Sequence, residues 1–103
     1  MAPLTQFAKR TVTALTATSG TSQDISEVPC TYHGFSFRET GGTTATIVIY
    51  NNTAASGTIL DTIALTAGES AREWYDRGIA ATVGITVDVT GTVQGSVRKA
   101  RAT

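Results

Sequence analysis

Cysteine, histidine and long apolar runs are scarce in this sequence, and each shortage excludes a class of protein. Cys30 is the only cysteine among 103 residues, so no disulfide can form within the chain, whereas small secreted domains usually carry several. His33 is the only histidine, which excludes a histidine-rich metal site built by one chain. No apolar run approaches the roughly 18 residues of a membrane-spanning helix, so we expect no membrane partner.

Charge is also scarce and is balanced in sign. Charged residues make up 16% of the sequence, and eight Lys and Arg offset eight Asp and Glu. Proteins that bind nucleic acid present a broad basic surface, so a net charge of zero argues against a nucleic-acid partner. The first ten residues have neither the basic region nor the apolar region of a secretory signal. This predicts a protein made in a cytoplasm and kept there, or released from it by lysis.

Threonine is the most abundant residue, at 20 positions, with 14 alanines and 10 glycines. An excess of Thr, Val, Ile and Gly, with little Lys, Glu or Leu, favours strands over helices. A chain of this length suffices for one compact domain and is too short for two. We therefore predict an extended N-terminal arm at 1–9 followed by a single all-β domain at 10–103.

Turn signals every 8–12 residues are typical of a β-sandwich or jelly roll of about seven to eight antiparallel strands. Strands are predicted at 10–18, 30–39, 44–50, 58–65, 70–75, 84–90 and 92–99. Residues 19–24 have the composition of a loop, and Pro29 leaves 25–28 at best an edge segment. Residues 76–78 are predicted as a turn, and 79–81 as the one piece that could form a short helical turn.

Within the strand at 30–39, period-two alternation places His33, Phe35 and Phe37 on one face and Tyr32 on the other. A glycine inside a strand can mark a bulge, and Gly34 occupies that position. An odd separation sends Cys30 to the face opposite His33, which disfavours a Cys–His nucleophilic pair. The run at 47–49 predicts a central strand buried on both faces, and 85, 87 and 89 are expected to face the core.

The inventory of reactive groups predicts a protein that is not an enzyme. The sequence contains no nucleophile elbow and no glycine-rich phosphate loop, so we expect no catalytic residue and no cofactor. The acids are scattered without the spacing of a metal loop, so no metal site is expected. Trp74 and Tyr75, flanked by two acids, could form the edge of a carbohydrate site. The alternative is that one of them anchors the core and the other lies on the surface.

The neutral total conceals an uneven distribution of charge. Lys9 and Arg10 near the start, and Arg98, Lys99 and Arg101 near the end, have no acid beside them. Residues 21–97 carry three arginines against all eight acids, a balance of minus five. Basic ends on an acidic body could dock to a partner or to another copy, or could simply keep the ends soluble. The candidate partner contacts are Lys9, Arg10, Arg98, Lys99, Arg101, Trp74 and Tyr75.

The second half of the chain contains a strand that ends in Tyr-Asn, an L-x-A-G-E-S turn and a G-I-x-V-x-V-T-G strand. With these motifs, roughly residues 47–100 resemble small β-sandwich virion proteins of tailed bacteriophages. The matched positions are turn glycines and core residues, so no functional residue is carried over.

The resemblance implies a non-enzymatic structural protein of the virion, assembled in the host cytoplasm. It favours a head decoration, or cement, protein that binds the major capsid protein shell and stabilises it, in homo-oligomers with a trimer favoured. A fibre, tail or neck subunit is the alternative within the virion. A carbohydrate-binding module is the alternative from another class.

Overall fold

Eight antiparallel strands, arranged in two four-stranded sheets, make up the part of the chain that the structure describes. The computed structural model describes residues 10–17 and 21–101. The strands are β1 (Arg10–Ala17), β2 (Thr21–Ser26), β3 (Cys30–Glu39), β4 (Ala45–Asn51), β5 (Thr58–Leu65), β6 (Ser70–Ala81), β7 (Ile85–Thr90) and β8 (Val93–Arg101). The order is β1-β8-β3-β6 in one sheet (sheet 1) and β2-β7-β4-β5 in the other (sheet 2). This is the connectivity of a jelly roll, and the all-β prediction is confirmed; the predicted arm at 1–9 lies outside the described residues.

The first difference from the sequence prediction is β2, which occupies residues predicted to be a loop. Its polar sequence has little strand propensity, but it pairs with β7 from Thr21 opposite Val89 to Asp24 opposite Thr86. Strand formation here is driven by pairing with an apolar neighbour and not by local preference. The prediction of a loop at 19–24 was wrong for 21–24, and Ile25 is buried as the inward residue of this edge strand.

The second difference is β6, which continues through the predicted turn at 76–78 and the predicted helical turn at 79–81. Trp74 pairs with Gly34 and Ile79 pairs with Tyr32, so the four β6 residues 75–78 lie opposite the single β3 residue His33. The turn-forming residues 76–78 are part of a bulge of four residues, which interrupts the pairing with β3 without ending the strand.

The same irregularity corrects the predicted faces of β3. Its register with both neighbours shifts between Tyr32 and Gly34, as the glycine suggested. The shift places Tyr32 on the core side together with Phe35 and Phe37, and the prediction that Tyr32 lies opposite the two phenylalanines was wrong. A one-residue slip exchanges the two faces of a strand, and here it does so halfway along β3.

Apolar side chains from both sheets meet in one core between them. β4 is an inner strand of sheet 2, as predicted, but the prediction that it is buried on both faces was wrong. Ile47 and Ile49 are fully buried in the core, whereas Val48 on the outer side is half-buried. The expected inward positions of β7 are confirmed. The largest buried apolar side chains are Tyr32, Phe35, Phe37, Ile47, Ile49, Ile63, Leu65, Ile85, Val87, Val89, Val93 and Val97.

One buried carboxylate joins the turns at one end of the sandwich. Glu39, only 1% exposed, accepts backbone N–H bonds from Gly41 (2.7 Å), Gly42 (3.1 Å) and Thr43 (3.2 Å) in its own turn. It also accepts one from Gly68 (2.8 Å) in the turn between β5 and β6. The bond from Gly68, with those from the β3–β4 turn, outweighs burial and lowers the pKa of Glu39 below its usual value. The ionised carboxylate therefore stabilises both turns.

We expect Gly34→Ala to destabilise the fold far more than Gly42→Ala. Both glycines have positive φ, of 123° and 81°, but a Cβ at Gly34 would overlap the backbone carbonyl oxygen of Glu73, whereas a Cβ at Gly42 would meet no atom within 4 Å. The φ penalty alone is about 1–2 kcal/mol, and overpacking adds about 1–3 kcal/mol. Urea unfolding of the two variants measures the difference. Equal losses would show that β3 does not need the close approach at Gly34.

We expect Glu39→Gln to lower the free energy of unfolding at neutral pH and to flatten its dependence on acid pH. A carboxyl whose pKa is lower in the folded state stabilises the protein above its unfolded pKa, and that stability is lost as the pH falls through the folded pKa. Unfolding measured from pH 7 down to pH 2 should therefore show the wild type converging on the variant. Glu69→Gln is the control, since Glu69 is an exposed carboxylate that bonds within one turn. The same slope in the wild type and the Glu39→Gln variant would contradict this role.

Candidate interaction face

The outer side of sheet 1 carries three arginines and a tryptophan. Neighbouring strands place these side chains in rows, with Trp74 and Arg98 on either side of Gly34 and Arg72 beside Ser36 in the next row. Arg38 and Arg72 are exposed and Arg98 is half-buried. We call this surface the arginine face and define it by Arg38, Arg72, Trp74, Gln94, Ser96 and Arg98.

The arginine face contains an open depression beside the Trp74–Gly34–Arg98 row. It has a volume of about 370 Å³ and is lined by Arg72, Glu73, Trp74 and Arg98. A second depression of about 440 Å³ shares Arg72 and extends towards Ser36 and Ser70. The arginine face is therefore a shallow surface whose depression has two arginines, one glutamate and a tryptophan in its walls, and has the shape of a contact surface more than that of an enclosed pocket.

His33 supports Trp74 from below. It is 5% exposed, its ring stacks on the Trp74 ring at 5.5 Å, and its Nδ1 lies 2.8 Å from the backbone oxygen of Tyr75. A carbonyl oxygen can only accept, so Nδ1 carries a proton and donates it. The stack and this bond fix an indole ring that is 44% exposed.

The predicted contact residues whose side chains the structure describes, Trp74, Tyr75, Arg98 and Lys99, do not all lie on one face. Arg98 and Trp74 lie together on the arginine face, but the Lys99 ammonium donates to the backbone oxygen of Ile25 at 3.0 Å and so links the two sheets. The backbones of Arg10 and Arg101 belong to β1 and β8, where Arg10 pairs with Ala100 and Arg101 pairs with Cys30. Lys9 lies outside the described residues.

Tyr75 takes part in a polar cluster between the sheets. Its hydroxyl and that of the fully buried Tyr32 both donate to Oδ2 of Asp61, at 2.9 and 3.0 Å. Burial, followed by the nearby Asp61 carboxylate, raises the pKa of Tyr32, and the same causes raise the pKa of Tyr75 to about 12. Tyr75 is therefore the anchored member of the Trp74–Tyr75 pair, and Trp74 is the surface member.

The outer side of sheet 2 has the opposite charge. None of the four strands of this sheet contains a lysine or arginine. Its outward positions carry Asp24 and Asp88 together with several threonines, and the Thr86 hydroxyl lies 2.8 Å from Asp24 Oδ1 and 2.9 Å from the backbone oxygen of Asn52. We call this surface the threonine face and define it by Asp24, Thr46, Val48, Thr62, Asp88 and Thr90.

Sequence reasoning missed Arg38 and Arg72 as members of a shared face, and missed the acidic character of sheet 2. The alternation of polar residues in the strand at 70–75 was visible. The partner strands could not be identified, because adjacency between β6, β3 and β8 depends on pairing between residues about 30 to 70 positions apart in the sequence.

Neither a metal site nor a membrane span emerges from the described residues. Residues 10–17 and 21–101 contain no group of three or more His, Cys, Asp or Glu side chains placed to hold a metal ion. The same residues contain no helix long and apolar enough to cross a membrane. Cys30 is a free, buried thiol in the core, and His33 does not pair with it, since its ring packs on Trp74.

Comparison with known proteins supports the fold and gives no family. No known protein family matches the sequence, and no curated protein does. A solved structure from the Bacillus endospore appendages, described as a family of disulfide-linked pili, has a similar fold with a TM-score of 0.54. The two chains are 23% identical over 94% of this chain and 87% of the other. The chain therefore belongs to the class of small β-sandwich proteins, and this likeness extends to the fold alone.

We expect the phenols of Tyr32 and Tyr75 to ionise well above the ordinary value of 10. A phenol whose pKa is higher in the folded state stabilises the protein fully below its unfolded pKa, and this stability is lost between about pH 10 and pH 12 for Tyr75. Asp61→Asn removes the carboxylate charge, so the variant should show Tyr75 ionising at lower pH. Ultraviolet absorbance of phenolate measures both, and Tyr75→Phe identifies the Tyr75 step. Ionisation of Tyr75 near pH 10 in the wild type would contradict the cluster.

Proposed function

We propose that this chain is a structural, non-enzymatic subunit of a virion that works by packing its flat sheet faces against other protein surfaces. The separation of charge between the two faces carries the proposal: three arginines on sheet 1, and aspartates with threonines on sheet 2. Charge separated in this way fixes which surfaces can meet and in what register.

The composition of the two faces also suits protein contacts. Serine and threonine lose little side-chain entropy when they become ordered, in contrast to lysine and glutamate. A fixed tryptophan beside arginines is the combination that is enriched at the centres of interfaces. In the proposed assembly, the arginine face supplies an anchored aromatic ring and guanidinium hydrogen-bond donors. Its neighbouring serines lose little side-chain entropy when they become ordered.

The first assignment within the virion is a head decoration protein bound to the major capsid protein shell. It is supported by the resemblance of residues 47–100 to virion proteins of tailed phages. The A-G-E-S turn of that resemblance is structural here: Gly68 donates to Glu39, and Glu69 closes the turn by accepting from Thr66 at 2.8 Å. The shared turn and core residues thus support a shared scaffold, which leaves the outer faces of the two sheets for contacts with partners.

A fibre, tail or neck subunit is the second assignment, and the similarity of fold to a pilus protein favours it. The proposed assembly differs from disulfide-linked pili in how its copies would be joined. Cys30 is the only cysteine in the sequence and is 6% exposed, so its thiol cannot reach another copy while the domain is folded. Cohesion would come from non-covalent contacts.

A carbohydrate-binding module receives less support. The proposed edge needed Trp74 and Tyr75 to present a joint surface, but Trp74 faces outwards while the Tyr75 hydroxyl is bonded to Asp61 between the sheets. One exposed indole without a second ring offers a small platform for a sugar. Glycan binding that is lost in Trp74→Ala would restore this alternative.

Counting the copies of this chain in purified particles tests the proposed function. We expect quantitative mass spectrometry to find a decoration protein in numbers comparable with the major shell protein, and a fibre, tail or neck subunit in a few copies. Removal of the chain should lower the temperature at which the particles release DNA only if it is a decoration protein. Absence of the chain from particles would overturn both assignments.

A further inference from the structure

The two outer faces of the sandwich are complementary to each other. The arginine face presents Arg38, Arg72 and Arg98, and the last two line its depression together with Glu73 and Trp74. The threonine face presents Asp24 and Asp88 among threonine hydroxyls, and its strands contain no basic residue. A surface that carries guanidinium donors and a surface that carries carboxylate and hydroxyl acceptors satisfy each other's hydrogen bonds.

We propose that a second copy of this chain binds here, with the arginine face of one copy packed on the threonine face of the next. The inference rests on the proposed structural function and names the partner of each face. Trp74, 44% exposed and held by His33, projects from the arginine face. The half-buried Val48, flanked by Thr46, gives the opposite face an apolar position against which an indole can pack.

The size of the faces is consistent with such a contact. Four strands about 4.8 Å apart and roughly seven residues long cover about 450 Å² in projection, and the relief of the side chains adds to this. A standard interface buries about 800 Å² of accessible surface on each partner. The contact is at the small end of stable interfaces, so its strength depends on the charges and falls as salt screens them.

The placement of the faces determines the form of the assembly. They lie on opposite sides of one sandwich, so contact between unlike faces leaves an arginine face free at one end and a threonine face free at the other. A head-to-tail contact of this kind repeats along a line and produces an open column, whereas a ring would need faces that are inclined to each other. Each copy adds two sheet-to-sheet spacings of about 10 Å, which gives a repeat of roughly 20 Å.

Two charge-reversal variants and their mixture test the proposal. Arg72→Glu/Arg98→Glu makes the arginine face acidic, and Thr46→Arg/Asp88→Arg makes the threonine face basic. Each variant alone opposes like charges, which should weaken its self-association about a hundredfold relative to the wild type. Mixed in equal amounts, each variant offers the face that the other lacks, so we expect association to return with both proteins present at one to one. Analytical ultracentrifugation at low and high salt measures all three.

Controls separate the contact from folding and from general charge. Arg77→Glu makes the same change in the bulge, away from the arginine face, and should associate like the wild type. Circular dichroism reports folding, and Arg72→Gln/Arg98→Gln provides a milder second variant if the reversal unfolds.

Three outcomes would overturn the proposal: a wild type that stays monomeric at high concentration and low salt, reversal variants that associate like the wild type, or a mixture that stays monomeric. A monomeric wild type that is nevertheless present in purified particles would overturn the self-contact and leave the structural function standing. Such a chain would bind the shell protein through its arginine face without binding another copy of itself.

Discussion

The register slip in β3 is the constraint on which both surfaces of sheet 1 depend. Without it, strict alternation would turn Tyr32 and Cys30 outwards while Phe35 and Phe37 faced the core. The alternation is reset at His33, which is the single β3 residue opposite four residues of β6. The His33 ring stacks on Trp74. The irregularity that completes the core thus also builds the aromatic part of the arginine face. Gly34 allows this because the β6 backbone passes where a side chain would otherwise lie.

The strands with strong apolar patterns could be predicted from the sequence, and those defined by their partners could not. β4 and β7 alternate or run apolar over their whole length, so local pattern and burial agree. β2 is polar and forms because its backbone hydrogen-bonds to β7. β6 continues through residues whose composition is that of a turn. For the candidate site, Trp74 and Arg98 were identifiable singly. Their neighbour Arg72 was not, because only the pairing of β6 with β3 and of β3 with β8 brings the three together.

Buried and half-buried polar side chains form hydrogen bonds that link turns and strands of the two sheets. Glu39 connects the β3–β4 turn to the β5–β6 turn, Asp61 connects β5 to β3 and β6, and Lys99 connects β8 to β2. Each satisfies its partners within hydrogen-bond distance, which is what makes a buried or half-buried polar group stabilising. The faces can therefore remain flat and simple in composition, since the links between the sheets are made in the interior and at the ends.

The pairing of β1 and β3 with β8 has a consequence for when the protein becomes functional. Both strands depend on a partner made more than 50 residues later, so sheet 1 stays incomplete until β8 has been synthesised. The arginine face, which spans β3, β6 and β8, does not exist before that moment. A nascent chain thus has no complete surface with which to join a growing assembly, and incorporation is restricted to molecules that have finished folding.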